Sequence, residues 1–202
     1  MHLVEQETRR EELLAGLLGY IRTNGVADLS LRPLADALGT SPRMLIYHFG
    51  SKEQMLVEAL KRSRETQFER LRQWSAAHLL PEVMRRYWQW ASSHEFEPYT
   101  RLFFEVIGLA LQGKPGTEGV VPAIVEESMD LFCPRLIEVG CEPGFAREEV
   151  GLAIATVRGL LIDVLATGDR ERLDRTVAYV FDEMERRIAR HIEGRESGET
   201  DQ

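Results

Sequence analysis

The sequence predicts an all-α protein of about nine helices, and three observations carry that reading. Apolar residues recur at steps of three and four along most of the chain. Alternating Val/Ile/Thr runs and Asn-Gly or Asp-Gly hairpin turns are missing. Ser, Pro and Gly stand where helices start and stop. With 202 residues, one or two domains are expected. A composition 44% hydrophobic and 29% charged suits a folded chain with its own core and not a disordered one. The longest stretches free of Asp, Glu, Lys and Arg, Leu13 to Ile21 and Gln73 to Pro81, run to only nine residues each. A membrane span needs about 20 apolar residues, so none is expected. The N-terminus, Met1-His2-Leu3-Val4-Glu5, reaches an acid too early for a secretory signal. Cys133 and Cys141 fit neither a metal spacing nor a disulfide framework, and a reducing cytoplasm is the expected compartment.

The elements follow in order. Leu13, Leu14, Leu17, Leu18 and Ile21 make one face of a first helix, with Arg9, Arg10, Glu11, Glu12 and Arg22 elsewhere around it. Asn24-Gly25 closes it. Ser30 is the expected N-cap of a short second helix that turns Leu31, Leu34, Ala35 and Leu38 inward, Pro33 being tolerable in the first turn. Gly39 stops it. Ser41-Pro42 starts a third helix and Gly50 ends it. Ser51 with Gln54 forms a capping box for a long fourth helix reaching about His78. Pro81 and Pro98 open the fifth and sixth. Gly113 to Gly119 is a loop by composition. The seventh helix spans about Val121 to Val139 and is interrupted or kinked near Pro134. The eighth, about Ala146 to Thr167, is apolar almost all round, so more than one side is expected to be covered. The ninth carries Leu173, Val177, Phe181, Met184 and Ile188 in one stripe.

Charge is informative only when split. The formal net charge is −8, but residues 1–64 hold nine basic and eight acidic groups, against 16 and 25 in the rest. The acidity belongs to the second part, and the near-neutral front can approach a polyanion through a few placed cations. Two short helices joined at Gly39 and packed on a preceding helix make a helix-turn-helix pattern. The sharp reversal calls for Gly39, the small Ala35 faces the partner helix, and Leu45 and Phe49 anchor the second helix. Pro42, Arg43, Met44 and Tyr47 are left outward, where such helices meet base edges in the major groove.

The run Leu34-Ala35-x-x-x-Gly39-Thr40-Ser41-Pro42-Arg43-Met44-Leu45-Ile46-Tyr47-His48-Phe49-Gly50-Ser51-Lys52-Glu53-Gln54-Met55-Leu56 resembles the signature of the tetracycline-repressor (TetR) family. Tyr47-His48-Phe49-x-Ser51-Lys52-Glu53-x-x-Leu56 is its most specific part. The remainder is similar only in being helical and ending in two long apolar helices. The resemblance implies a homodimeric transcription factor, most often a repressor, whose helix-turn-helix head reads a near-palindromic double-stranded DNA site. It also implies a larger helical domain that binds a small-molecule inducer and dimerises. By the same resemblance Tyr47, His48 and Lys52 touch or position phosphates. Met44 and Ile46 depart from the family's usual Thr or small residue and Tyr. Met44 offers a thymine methyl only apolar contact, so Arg43 becomes the main base reader, bidentate to guanine O6 and N7. The candidate DNA-contacting set is Arg32, Ser41, Pro42, Arg43, Met44, Tyr47, His48 and Lys52. The implied division is 1–50 for the head, 51–195 for the ligand-binding and dimerisation domain, and 196–202 for a disordered tail.

Trp74, His78, Met84, Trp88, Phe103, Met129 and Phe132 are the candidate ligand-binding residues, since aromatic and thioether side chains line sites for apolar or planar molecules. The same residues fill a plain core equally well. Arg158 either holds a ligand carboxylate or pairs with Asp163 or Glu105. Val157, Leu161, Val164, Val177, Phe181 and Met184 are the candidate dimer interface, the last two helices pairing with a second copy. No cofactor, metal or membrane is implied, and the chain reads as no enzyme. His94-Glu95 lacks the second His of a zinc helix, and neither a Gly-x-Ser-x-Gly elbow nor a Walker loop is present. The rival reading keeps DNA binding but gives the second domain only dimerisation or a protein partner.

Overall fold

The computed structural model describes residues 2–199, with side chains from 6 to 195. Within them lie nine helices and no strand: α1 His2–Asn24, α2 Leu31–Ala37, α3 Pro42–Phe49, α4 Lys52–Ala77, α5 Leu80–Ala91, α6 Glu97–Leu111, α7 Val120–Glu138, α8 Pro143–Thr167 and α9 Arg170–Glu199. The chain forms two compact units. The first comprises Met1–Gln67 and His94–Val121, the second Phe68–Ser93 and Pro122–Gln202. The first unit takes in the N-terminal part of α4 and all of α6. Met55, Leu56, Ala59 and Leu60 of α4 are buried with the head, and α6 joins it by packing on α1. Of the tail expected at 196–202, residues 196–199 continue α9 and the rest lies outside the described residues.

In the first unit, Leu13, Leu14, Leu17 and Ile21 of α1 are buried with Leu34, Ala35, Leu45 and Phe49 of the two short helices. Gly16 lets α2 come close, since a Cβ there would lie 2.6 Å from Leu38 Cδ2. Ser30 stands at the N-cap of α2 in extended backbone, but its side chain makes no capping bond. Ser41 and Ser51 do cap, their hydroxyls accepting from the Met44 and Gln54 N–H groups at 3.2 and 3.0 Å.

In the second unit, α5 packs on α8 and α9. The α9 stripe from Leu173 to Ile188 is buried at every position, against Val83, Met84 and Trp88 of α5 and Val150, Val157 and Leu161 of α8 within one core. The middle of α9 is tied by charge to α8 and to α5. Arg187 grips Glu149 with two bonds of 2.8 Å, and Arg85 reaches Asp182 and Glu185 at 2.6 and 3.0 Å. Helix α8 starts three residues earlier than Ala146, because Pro143 supplies a pre-set first turn behind Glu142. Helix α7 runs unbroken through Pro134, which withholds the N–H that the Asp130 carbonyl would accept. By length and composition α8 alone among the described helices is apolar enough to cross a membrane, yet its inner face lies in this core.

Candidate nucleic-acid interface

The turn before α3 explains its own sequence. Gly39 has φ +61°. The Thr40 N–H bonds the Ala35 carbonyl at 2.9 Å and the Gly39 N–H bonds that of Asp36 at 3.3 Å, the two bonds of a Schellman ending. Nothing lies within 4 Å of where a Gly39 Cβ would be. Backbone conformation and not lack of room is therefore what calls for glycine here. The reversal lets α3 begin at once, with Ser41 as cap and Pro42 in the first turn.

Helix α3 is anchored on one face and open on the other. Leu45 and Phe49 are 0% and 5% exposed. Ser41, Pro42 and Arg43 are exposed, with Met44 at 40%, Ile46 at 38% and Tyr47 at 63%. Arg32 is exposed on α2, and His48 and Lys52 are half-buried. All eight expected DNA-contacting residues fall within α2, α3, the start of α4 and their caps, in one compact unit. A helix with a buried face, a free N-terminal turn, an exposed Arg and a protruding Tyr has the form needed to enter a major groove.

Two residues of α1 that belong to this arrangement were not expected. Arg10 donates from Nε to the His48 carbonyl at 3.4 Å, pairs with Glu58 at 3.2 Å, and holds its guanidinium 5.3 Å from the centre of the Phe49 ring. It joins α1 to the end of α3 and to α4. Gln6 donates from Nε2 to the Tyr47 hydroxyl at 3.1 Å, and the Tyr47 ring meets His48 edge-on at 5.2 Å. The signal was present in the sequence. Positions 6, 10, 13 or 14, 17 and 21 share one helical face, so both polar residues continue the inward stripe. Arg10 is therefore not elsewhere around the helix.

The expected ligand residues are divided between the two units. Phe103 belongs to the first unit, half-buried on α6 and edge-on to Phe104 at 5.1 Å. The others belong to the second. Met84, Trp88 and Phe132 are buried, and Trp88 donates its indole N–H to Asp174 at 2.6 Å. Trp74, His78, Met129 and Arg158 are half-buried. Trp74 meets Trp90 edge-on at 6.4 Å, with the Arg70 guanidinium 4.9 Å from the Trp90 ring centre. Asp163 binds Arg172 at 2.8 and 3.1 Å, and this bond holds its carboxyl below the ordinary value of 3.8. Its partner is thus on α9. Cys133 and Cys141 are buried, and burial pushes both thiols up, away from nucleophilic use. No group of three His, Cys, Asp or Glu able to hold a metal occurs among the described residues.

The expected dimer stripe lies mostly inside the core of a single chain. Val157, Leu161, Val177, Phe181 and Met184 are at most 3% exposed within a single chain, because they face the core shared with α5. Only Val164 is half-buried. The open apolar face of α8 is instead Leu152, Ala155, Gly159, Ile162 and Ala166, with Leu152 at 45% and Ile162 at 53% exposure. Tyr179 of α9 is 69% exposed.

Residues 13–59 match the family of bacterial regulatory proteins, tetR family. No curated protein matches the chain. Among solved structures, a transcriptional regulator from Rhodococcus sp. RHA1 is 18% identical with a TM-score of 0.70, over 92% of this chain and 96% of that one. The multidrug binding protein EbrR, complexed with imidazole, is 22% identical with a TM-score of 0.61, over 85% and 93%. NalD, the secondary repressor of the MexAB-OprM multidrug efflux pump in Pseudomonas aeruginosa, is 20% identical with a TM-score of 0.60, over 90% and 96%. At these identities the likeness is one of fold.

Proposed function

We propose that this chain, which carries at residues 13–59 the domain of the tetR family of bacterial regulatory proteins, is a cytoplasmic, homodimeric, sequence-specific DNA-binding regulator that represses until a small apolar or aromatic ligand releases it. The open N-terminal face of the anchored α3 carries the reading. Arg43 is its base reader, Met44 its apolar contact, and Tyr47, His48, Lys52 and Arg32 hold phosphates, with Ser41 and Pro42 shaping the helix start. Two such helices enter successive major grooves about 34–36 Å apart on a near-palindromic site. The second copy docks on the open face of α8, where Ala155 and Gly159 allow close approach and Leu152 and Ile162 supply apolar area. Gly151, Ala155 and Gly159 repeat at steps of four along that helix.

The test is fluorescence anisotropy with the DNA flanking the coding region, against a random duplex and across a salt series. A site bound at least about 10³-fold more tightly than the random duplex supports the reading. Replacing Arg43 by Ala is expected to cost roughly 1–3 kcal/mol and to relax one base position per half-site. Unchanged base preference would remove Arg43 from that role.

One observation favours a second reading, in which the helical body takes no small molecule. Met84, Trp88 and Phe132 are already buried, and the Trp88 indole N–H is already bonded. Trp74, His78, Met129, Arg158 and Phe103 are the ligand candidates left with accessible surface. A ligand that raises Tm and releases DNA decides for the first reading. A broad apolar and aromatic panel that leaves both unmoved decides for the second.

A further inference from the structure

We propose that Gln54 is a positioning residue for the reading helix, and that the loop between α6 and α7 grips it. The proposal rests on the reading of α3 given above, but the geometry stands without DNA. Helix α3 ends at Gly50, whose φ is +82° and whose N–H bonds the Ile46 carbonyl at 2.8 Å. Gln54 lies one turn further on, its own N–H held by Ser51. Its side chain runs back over Gly50: a Cβ there would lie 3.2 Å from Gln54 Cδ, with Oε1 closer still. The same side chain meets a second glycine from far along the chain. A Cβ on Gly116, where φ is +87°, would lie 3.2 Å from both Cδ and Nε2 of Gln54, with Cγ closer still. One amide side chain, on an exposed residue, thus lies against two glycines, each in a conformation that L side chains rarely adopt.

The loop that brings Gly116 there is held by its own bonds. Gly113 and Lys114 N–H groups bond the carbonyls of Ala110 and Leu109 at 3.0 and 3.1 Å, which ties the loop to the end of α6. Thr117 is 3% exposed and donates its hydroxyl to the Lys114 carbonyl at 2.6 Å. The Glu118 carboxylate accepts the Gly116 N–H at 2.8 Å. Helix α6 in turn packs on α1. All these parts belong to one compact unit. A firm loop therefore fixes Gln54, and Gln54 fixes the point where α3 turns into α4. The direction in which Arg43, Met44 and Tyr47 are presented depends on that point. The reading head is built from two separated stretches of chain, and residues 112–119 belong to it.

The experiment uses the full chain with Gly116→Ala, Gln54→Ala and the double variant. Amide exchange is followed at Phe49 and Gly50 without DNA, and affinity is measured for the specific site and for a random duplex. Gly116→Ala drives a methyl into Gln54. Exchange at Gly50 is expected to quicken roughly tenfold. Specific affinity is expected to fall by a similar factor, with random-duplex affinity unchanged. Gln54→Ala removes the obstacle, so the double variant recovers part of both losses. Wild-type exchange and wild-type discrimination in Gly116→Ala overturn the proposal, as do losses that simply add in the double variant. If Gly116→Ala fails to fold, Gln54→Ala decides alone: faster exchange at Gly50 supports the grip and unchanged exchange refutes it. If the wild-type chain distinguishes no DNA, the assignment of α3 falls, while the exchange measurements still decide on Gln54.

Discussion

Replacing Arg10 by Ala is the most direct way to ask what holds the reading helix. Three contacts are lost at once. The pair with Glu58 has both side chains about one-third exposed, at 35% and 30%, so it is worth only ~0.2–1 kcal/mol. The guanidinium over Phe49 adds about 0.5–1 kcal/mol at a site this open. The bond to the His48 carbonyl, at 3.4 Å, is near the limit for such a bond and contributes about 0.5 kcal/mol or less. The sum is about 1–2 kcal/mol, discounted because one guanidinium serves all three partners. Urea unfolding should show a lower midpoint at unchanged slope. A cycle with Glu58→Ala should show a coupling of about 0.5 kcal/mol, and additive losses would remove the bridge from the account. Specific DNA affinity should fall as well, because the end of α3 loses its tie to α1. The dependence of affinity on salt separates positioning from contact. If Arg10 only positions the helix, the slope of log K against log salt stays as in the wild type. A slope shallower by about one unit refutes the reasoning, since Arg10 would then be touching a phosphate itself.

Three further outcomes follow from the same geometry. Trp88→Phe keeps an aromatic ring but deletes the bond to Asp174 and leaves a gap where the fully buried indole stood; it should cost about 2–4 kcal/mol in urea and leave DNA affinity alone. A loss of ligand response without loss of stability would return Trp88 to the binding residues. Ile162→Asp places a charge on the open face of α8 and should convert a dimer to folded monomers, read by light scattering, whereas an unchanged mass would move the interface elsewhere. Arg172 holds the Asp163 carboxyl below its ordinary 3.8, so its contribution to stability is present above that value and is lost as pH falls through the lowered one. Asp163→Asn should therefore differ from the wild type at neutral pH and approach it below about pH 4; a gap that widens on acidification contradicts the pairing.

The helices were legible because their ends are written in local chemistry. Ser41, Pro42, Gly50 and Ser51 act on backbone within four residues, so spacing alone finds them. Gly39 was found for a reason that the structure replaces: its positive φ and not the room around it. An apolar stripe is less informative. It says that a face is buried and not what covers it, so Val157, Leu161 and Phe181 read equally well as interface or as core. The same ambiguity ran through Met84, Trp88 and Phe132. Arg10 was hidden by its type, since a charged residue on an inward face is easily assigned to the surface. The grip of Gly116 on Gln54 could not be read at all, because nothing in either local sequence refers to the other.

Under the proposed function these supports matter, because charge alone cannot keep this chain on DNA. Residues 1–64 are close to neutral and the rest are strongly acidic. The exposed or half-exposed cations of α2, α3 and the start of α4 are Arg32, Arg43 and Lys52. Each phosphate neutralised contributes a factor of salt concentration to the power of about 0.9, so a head with so few cations gains little from counterion release. Non-specific binding is then weak and the acidic remainder opposes it further. Discrimination has to come from contacts that need alignment, such as the bidentate contact to a guanine edge proposed for Arg43. Alignment in turn has to be supplied by the head itself. Helix α3 is only eight residues long, too short to hold a direction on its own. Leu45 and Phe49 fix its inner face, Gly39 and Ser41 set where it starts, and Arg10 with Gln54 sets where it ends. A head with few cations and a helix fastened at both ends is one arrangement and not two features, since under the proposed function the rigidity has to provide the selectivity that the charge does not.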